Sequence, residues 1–208
     1  MYSYDCICDS EGNPLFESSF KSPNVADTVN SGTECIYYVF PDVEEQLRDY
    51  GRKALKAFKV KSRFVHFEFF RLRKGRKGLG KKGDFIGLEV NMRPAGGFTP
   101  DMINFAHSCD VYKMWADMIC FDKRLDSEEP EDCYCVFASR KDRFTHENTH
   151  DQILEDYKDN LLMEGRLPDI FAAAMGNQMY ISKFDTFEEV CDFGRYVLEY
   201  NFDYVMAH

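Results

Sequence analysis

Residues 64–70 read FVHFEFF and residues 87–94 read GLEVNMRP, and the fold follows from taking them as neighbouring strands. Side chains alternate across a strand. In the first segment Val65, Phe67 and Phe69 face one way, while His66, Glu68 and Phe70 face the other. In the second, Ile86, Leu88, Val90 and Met92 predict a continuous apolar face, and Glu89, Asn91 and Arg93 share the opposite side. One face is core and the other carries chemistry. Side by side, two carboxylates, an amide oxygen and a guanidinium make a site for a hard cation. Magnesium takes oxygen ligands and keeps waters and phosphate oxygens in its remaining positions, so Glu68, Glu89 and Asn91 suit a metal that carries a nucleotide. Arg93, forked and always charged, suits an anion beside it. The alternative on pattern alone is a solvated polar sheet face with Arg93 in a salt bridge.

Upstream, YSYDCIC (2–8), a turn over Asp9–Asn13 and PLFESSF (14–20) predict a β-hairpin. After a polar stretch from Lys21 to Gly32, TECIYYVF is a third strand. Pro41 then opens an amphipathic helix to about Phe58, with Val43, Leu47, Tyr50, Ala54, Leu55 and Phe58 on one face. The central strands run from about Arg63 to Leu72 and from Asp84 to Met92, joined by the basic, glycine-rich RKGRKGLGKKG. Downstream the pattern turns helical from Pro100, with Asp110 starting a second helix whose Trp115 and Met residues are core. SEEPED (127–132) is a loop, CYCVFAS a strand and QILEDYKDNLLMEG (152–165) a helix capped by Thr149 and Gln152. QMYISKF is a strand before a last helix capped at Thr186, with Glu189 three residues on. The order is α+β with a mixed, mainly antiparallel sheet flanked by helices. It divides into 1–120, carrying the site, and a closing lobe over 121–208, packed as one unit with the first.

With 208 residues, 26 Lys+Arg against 36 Asp+Glu and a net charge of -10, the chain is acidic, which disfavours nucleic acid or anionic lipid as its main partner. No segment has the length of a membrane helix and the first residues do not read as a targeting signal, so a cytoplasmic protein is expected. The cysteines read as reduced and buried; Cys6/Cys8 and Cys133/Cys135 have strand period and fill core, with metal binding the alternative.

The run 88–119, LEVNMRPAGGFTPDMINFAHSCDVYKMWADMI, resembles the end of the ATP-grasp domain in carboxylate–amine and carboxylate–thiol ligases of the carbamoyl-phosphate synthetase, biotin carboxylase and amino-acid ligase branch, whose pattern is E-x-N-x-R-P-x-G-G. HFEFF resembles the strand carrying that family's first metal carboxylate, and YSYDCICDSEGNPLF the hairpin after its nucleotide hinge. The resemblance implies Glu68, Glu89 and Asn91 as ligands of Mg2+ or Mn2+ carrying ATP, with Glu89 bridging two ions. It further implies Arg93 as the residue steadying the transferred phosphoryl group, and Gly96 and Gly97 as the turn beside the acceptor. The family's phosphate-gripping lysines, glycine-rich loop and adenine hinge precede the hairpin with which this chain starts. The resemblance therefore implies the C-terminal portion of such a ligase, one half of a split enzyme completed by a second chain or N-terminal lobe, or a non-catalytic relative. Small-molecule carboxylates and amines are the implied substrates, and a homo-oligomer is compatible.

Two further signals stand apart. His146-Glu147-Asn148-Thr149-His150 fits the HExxH expression of zinc proteases, but the cap at Thr149 puts His146 ahead of the helix, so a polar loop entering a helix is the expected structure. The connection 71–82 holds seven Lys and Arg and no aromatic residue. A solvated loop, contact with a phosphate or an acidic partner, and contact with nucleic acid are the readings open to it. His66, two residues before Glu68 on the same face, is expected to be a hydrogen-bonded, half-buried histidine, with support of Glu68 or general-base chemistry as the functional alternatives.

Overall fold

A computed structural model of the chain describes residues 1–125, 131–199 and Phe202. The elements in order are β1 (Tyr2–Cys8), β2 (Pro14–Ser18), β3 (Phe20–Lys21), α1 (Val25–Ser31), β4 (Cys35–Val39), α2 (Glu45–Ala57), β5 (Arg63–Arg71) and β6 (Phe85–Asn91). They continue with α3 (Thr99–Ala106), α4 (Val111–Phe121), β7 (Tyr134–Arg140), α5 (His150–Asp156), β8 (Leu161–Arg166), a 3-10 turn (Asp169–Phe171), α6 (Ala172–Met175), β9 (Gln178–Phe184) and α7 (Phe187–Leu198). Four residues of the expected 127–132 loop lie outside the described residues. Among the described residues no helix is long and apolar enough to cross a membrane.

The chain divides into two compact units, Met1–Lys21 with Phe40–Asp132, and Ser22–Val39 with Cys133–His208. In the first, β1 lies between β5 and the β2/β3 strands, and β6 pairs outside β5, all antiparallel. Alternation drives the layering. Tyr4, Cys6, Cys8, Val65, Phe67, Phe69 and Phe85 form one core with Val43, Leu47 and Leu55 of the α2 segment. On the other face Phe64 meets Trp115 of α4 edge-on at 5.9 Å. Asp110 caps α4 by accepting from the Lys113 N–H.

Gly51 of α2 sits directly over Tyr4. A Cβ there would come 2.4 Å from the ring, which is buried and anchored through its hydroxyl to Glu17 at 2.5 Å. Alanine would gain about 1 kcal/mol in helix propensity, but overpacking against a ring that cannot swing away costs about 1–3 kcal/mol or more. Gly51→Ala is therefore expected to lower the urea midpoint with an unchanged slope; an unchanged or higher midpoint would show that the helix shifts freely over β1.

The second unit is an antiparallel sheet ordered β4-β7-β9-β8. Its α7 opens with a full capping box between Thr186 and Glu189 and buries Val190, Phe193, Val197 and Leu198. Thr149 and Gln152 form the expected box on α5.

Several sequence expectations need correction. The helix over 152–165 ends at Asp156, and Leu161–Arg166 instead forms β8, pairing with β9. Leu, Met and Glu favour helix locally, but the open edge of β9 offers ladder hydrogen bonds that win. The helix expected from Pro41 begins at Glu45, and its Phe58, the C-cap residue, is 56% exposed rather than core. The polar stretch 21–32 contains α1, capped by the Asn24 side chain on the Ala26 N–H. PLFESSF is split into β2 and β3. The correction to β6 bears on the site and is described with it.

Candidate functional site

The pairing of β1, β5 and β6 arranges six polar residues as two rows across three strands. Ser3 stands opposite Glu68, which stands opposite Glu89; Asp5 stands opposite His66, which stands opposite Asn91. Burial grades across the grid. Ser3 and Asp5 are fully buried, His66 is nearly so, Glu68 and Asn91 are half-buried and Glu89 is exposed.

Hydrogen bonds run along this gradient. The Phe20 N–H donates to Ser3 Oγ at 2.9 Å, and Ser3 Oγ donates to Asp5 Oδ2 at 2.6 Å. Asp5 Oδ1 lies 2.9 Å from His66 Nδ1, and His66 Nε2 lies 3.2 Å from Glu68 Oε1. Phe20 stacks on the imidazole at 5.5 Å. Burial opposes the charged imidazole, but the carboxylates of Asp5 and Glu68 outweigh it and push the pKa up to about 10. At neutral pH His66 is an imidazolium donating from both nitrogens. It fixes one oxygen of Glu68, Oε1.

The expected apolar face of β6 is interrupted. The register shifts between Glu68 and Phe69, so that Glu68 pairs with Glu89 but Phe69 pairs with Gly87, and Leu88 is the extra residue. A bulge of this kind reverses the facing of everything beyond it. Phe85 and Val90 therefore belong to the core, whereas Ile86 stands opposite Phe70 on the site's face, and Leu88 is 46% and Met92 38% exposed. The same shift keeps Glu89 and Asn91 beside Glu68 and His66.

Arg93 lies beyond the end of β6, and its Nη1 donates to the Pro94 carbonyl at 2.8 Å. Gly96 and Gly97 form an exposed turn leading into α3, with Gly97 at φ 62°, a conformation that glycine adopts without strain. Ser3 and Asp5 were not singled out in the sequence. The signal for them was the alternation of Tyr4, Cys6 and Cys8 with Ser3 and Asp5 in the first strand.

The donors are two carboxylates and an amide, all hard oxygen ligands on one face. Among the described residues no group of three or more His, Cys, Asp or Glu side chains is placed to enclose a metal. By their chemistry, two carboxylates and an amide oxygen suit an ion that keeps waters and phosphate oxygens in its remaining positions. The HExxH segment makes no zinc site: α5 starts at His150, whose Nδ1 is 2.9 Å from the Tyr180 hydroxyl, while His146 Nε2 lies 3.0 Å from the buried Glu34. Elsewhere in the first unit, a cleft of about 270 Å³ is lined by Phe16, Glu17, Asp42, Arg48, His107 and Asp132, and none of the grid residues reaches it.

Solved structures share this fold. The phosphoribosylaminoimidazole carboxylase ATPase subunit from Aquifex aeolicus superposes with a TM-score of 0.61 at 15% identity, covering 95% of this chain and 55% of its own. Phosphoribosylglycinamide synthetase from Anaerococcus prevotii gives 0.58 at 13% identity, covering 99% and 51%. A biotin carboxylase from Campylobacter jejuni, solved as a β,γ-ATP complex, gives 0.54 at 13% identity, covering 99% and 48%. No family model matches the sequence, and no curated protein does. The fold is that of the C-terminal portion of ATP-grasp enzymes, α+β with mainly antiparallel sheet, and the chain spans about half the length of these structures.

Proposed function

We propose that this chain is the C-terminal part of an ATP-dependent ligase that joins a carboxylate to an amine or thiol through an acyl-phosphate, with ATP bound as its magnesium or manganese complex. The observation that carries the reading is the facing of Glu68 and Glu89, with Asn91 one row on, in a fold shared with ATP-grasp enzymes. Glu68, Glu89 and Asn91 would hold the metal, which when bound supplies positive charge for the phosphoryl oxygens. His66, through Nε2, would hold Glu68 in orientation. Arg93, on the exposed segment after β6, would turn from the Pro94 carbonyl to the transferred phosphoryl group, and the Gly96–Gly97 turn would border the acceptor. In this reading the lysines that grip the phosphates come from an N-terminal lobe or a second chain, and the ligase works in the cytoplasm.

A second reading, a non-catalytic nucleotide-binding module, is favoured by one feature: His66 already occupies one Glu68 oxygen. Calorimetric titration with ATP and magnesium, followed by a screen of carboxylates for ATP-dependent phosphate release, separates the two. Micromolar binding with release supports the ligase; binding without release under any carboxylate supports the module. A folded chain that binds no ATP, alone or with the lobe that completes it, would overturn both.

A further inference from the structure

We infer that the β5–β6 hairpin is a docking surface for a short acidic polypeptide segment bearing an apolar side chain. The stretch 71–82 holds seven of the chain's 26 Lys and Arg and no acid, which leaves 19 cations against 36 acids in the rest. It is an ordered extension. Leu72 N–H donates to the Asp84 carbonyl at 2.9 Å, Gly83 N–H to the Leu72 carbonyl at 2.8 Å, Arg76 N–H to the Gly80 carbonyl at 2.9 Å, and Lys81 N–H to Asp84 Oδ2 at 2.7 Å.

The two acids at its base are engaged. Asp84 caps the turn, and Glu44 takes the Arg71 guanidinium through both oxygens at 2.8 and 2.9 Å. Lys74, Arg76, Lys77, Lys81 and Lys82 are all exposed, and among the described residues no carboxylate pairs with them. Beside these cations lies apolar surface. Phe70 is 39% exposed opposite Ile86, Leu88 on the bulge is 46% exposed, and Leu79 at the tip is 50% exposed.

Charge and shape select the partner. Screening confines the cationic field to about 8 Å at physiological salt, so a long polyanion lying past the hairpin would meet the acidic body and be repelled. Phe70 is the single aromatic among the residues that make this surface, so successive bases find no stacking platform on it. A short acidic peptide can keep its carboxylates on the cations of the extension while its apolar residue, the part nearest Glu68 and Glu89, covers Phe70 and Leu88. Its apolar end, Phe70 and Leu88, borders Glu68 and Glu89 of the proposed metal site, but its cations lie beyond that site on the 71–82 extension, and binding there needs no nucleotide.

The test is fluorescence anisotropy of a labelled Glu-rich peptide carrying one Leu, titrated with the full chain without nucleotide or metal. Oligothymidylate of matched charge is the competitor. The peptide is expected to bind and to weaken with salt, with roughly ten-fold loss in Lys77→Glu/Lys81→Glu and a smaller loss in Leu88→Ser. All three changed residues are exposed, so both variants should keep the wild-type thermal transition. No binding, binding unaffected by the charge reversals, or tighter binding of oligothymidylate would each overturn the inference.

Discussion

Glu89→Gln is expected to weaken magnesium-dependent ATP binding by roughly a hundred-fold or more while leaving the metal-free fold as stable as wild type or slightly more so. The two halves of this outcome have one cause. Glu89 stands directly opposite Glu68 in the β5–β6 ladder, and like charges at that position repel by about 0.2–1 kcal/mol. Glutamine keeps the shape and an oxygen donor but removes the charge, so the repulsion disappears together with the attraction for a divalent ion. The residue is exposed at the sheet edge and contributes little packing. Paired measurements decide the matter: urea unfolding without metal, and calorimetry with ATP and magnesium. Unchanged ATP binding would remove Glu89 from the site. A large loss of metal-free stability would make it a structural residue.

Local signals were legible in the sequence, and contacts distant along the chain were not. Both capping boxes and the Asp110 cap appear where spacing placed them, because a cap is decided within four residues. The facing of Glu68 and Glu89 followed from the period of two. The bulge at Leu88 did not, because one inserted residue leaves composition unchanged while reversing the alternation on one side. The 161–166 segment was misread for a related reason: its residues favour helix, and only pairing with β9 makes it a strand. Asp5 is 61 positions from His66, so nothing local announces that these two, with Glu68 in the neighbouring row, form one hydrogen-bonded charged chain. The basic connection was visible as charge, but its apolar border at Phe70 and Leu88 appeared only once the register was known.

His66→Leu is expected to destabilise the metal-free chain by about 3–5 kcal/mol near neutral pH, because removing one member of a buried ion pair strands the other. The stranded group is Asp5, fully buried and left with Ser3 as its side-chain donor. The sign with pH follows from the raised pKa. An imidazolium held to about 10 in the folded state, against about 6.5 when unfolded, contributes stability that is complete below about pH 6.5 and is lost as pH rises through about 10. The wild type's advantage over His66→Leu should therefore shrink across that window. Removing both charges tests whether the pair, and not the ring's packing against Phe20, is responsible. His66→Leu/Asp5→Asn should recover a large share of the loss, because no unpaired charge remains in the core. Urea unfolding of the wild type, His66→Leu, Asp5→Asn and the double variant at several pH values completes the cycle. Additive losses that do not vary with pH would mean that His66 acts there as a neutral core residue and that Glu68 is oriented without it.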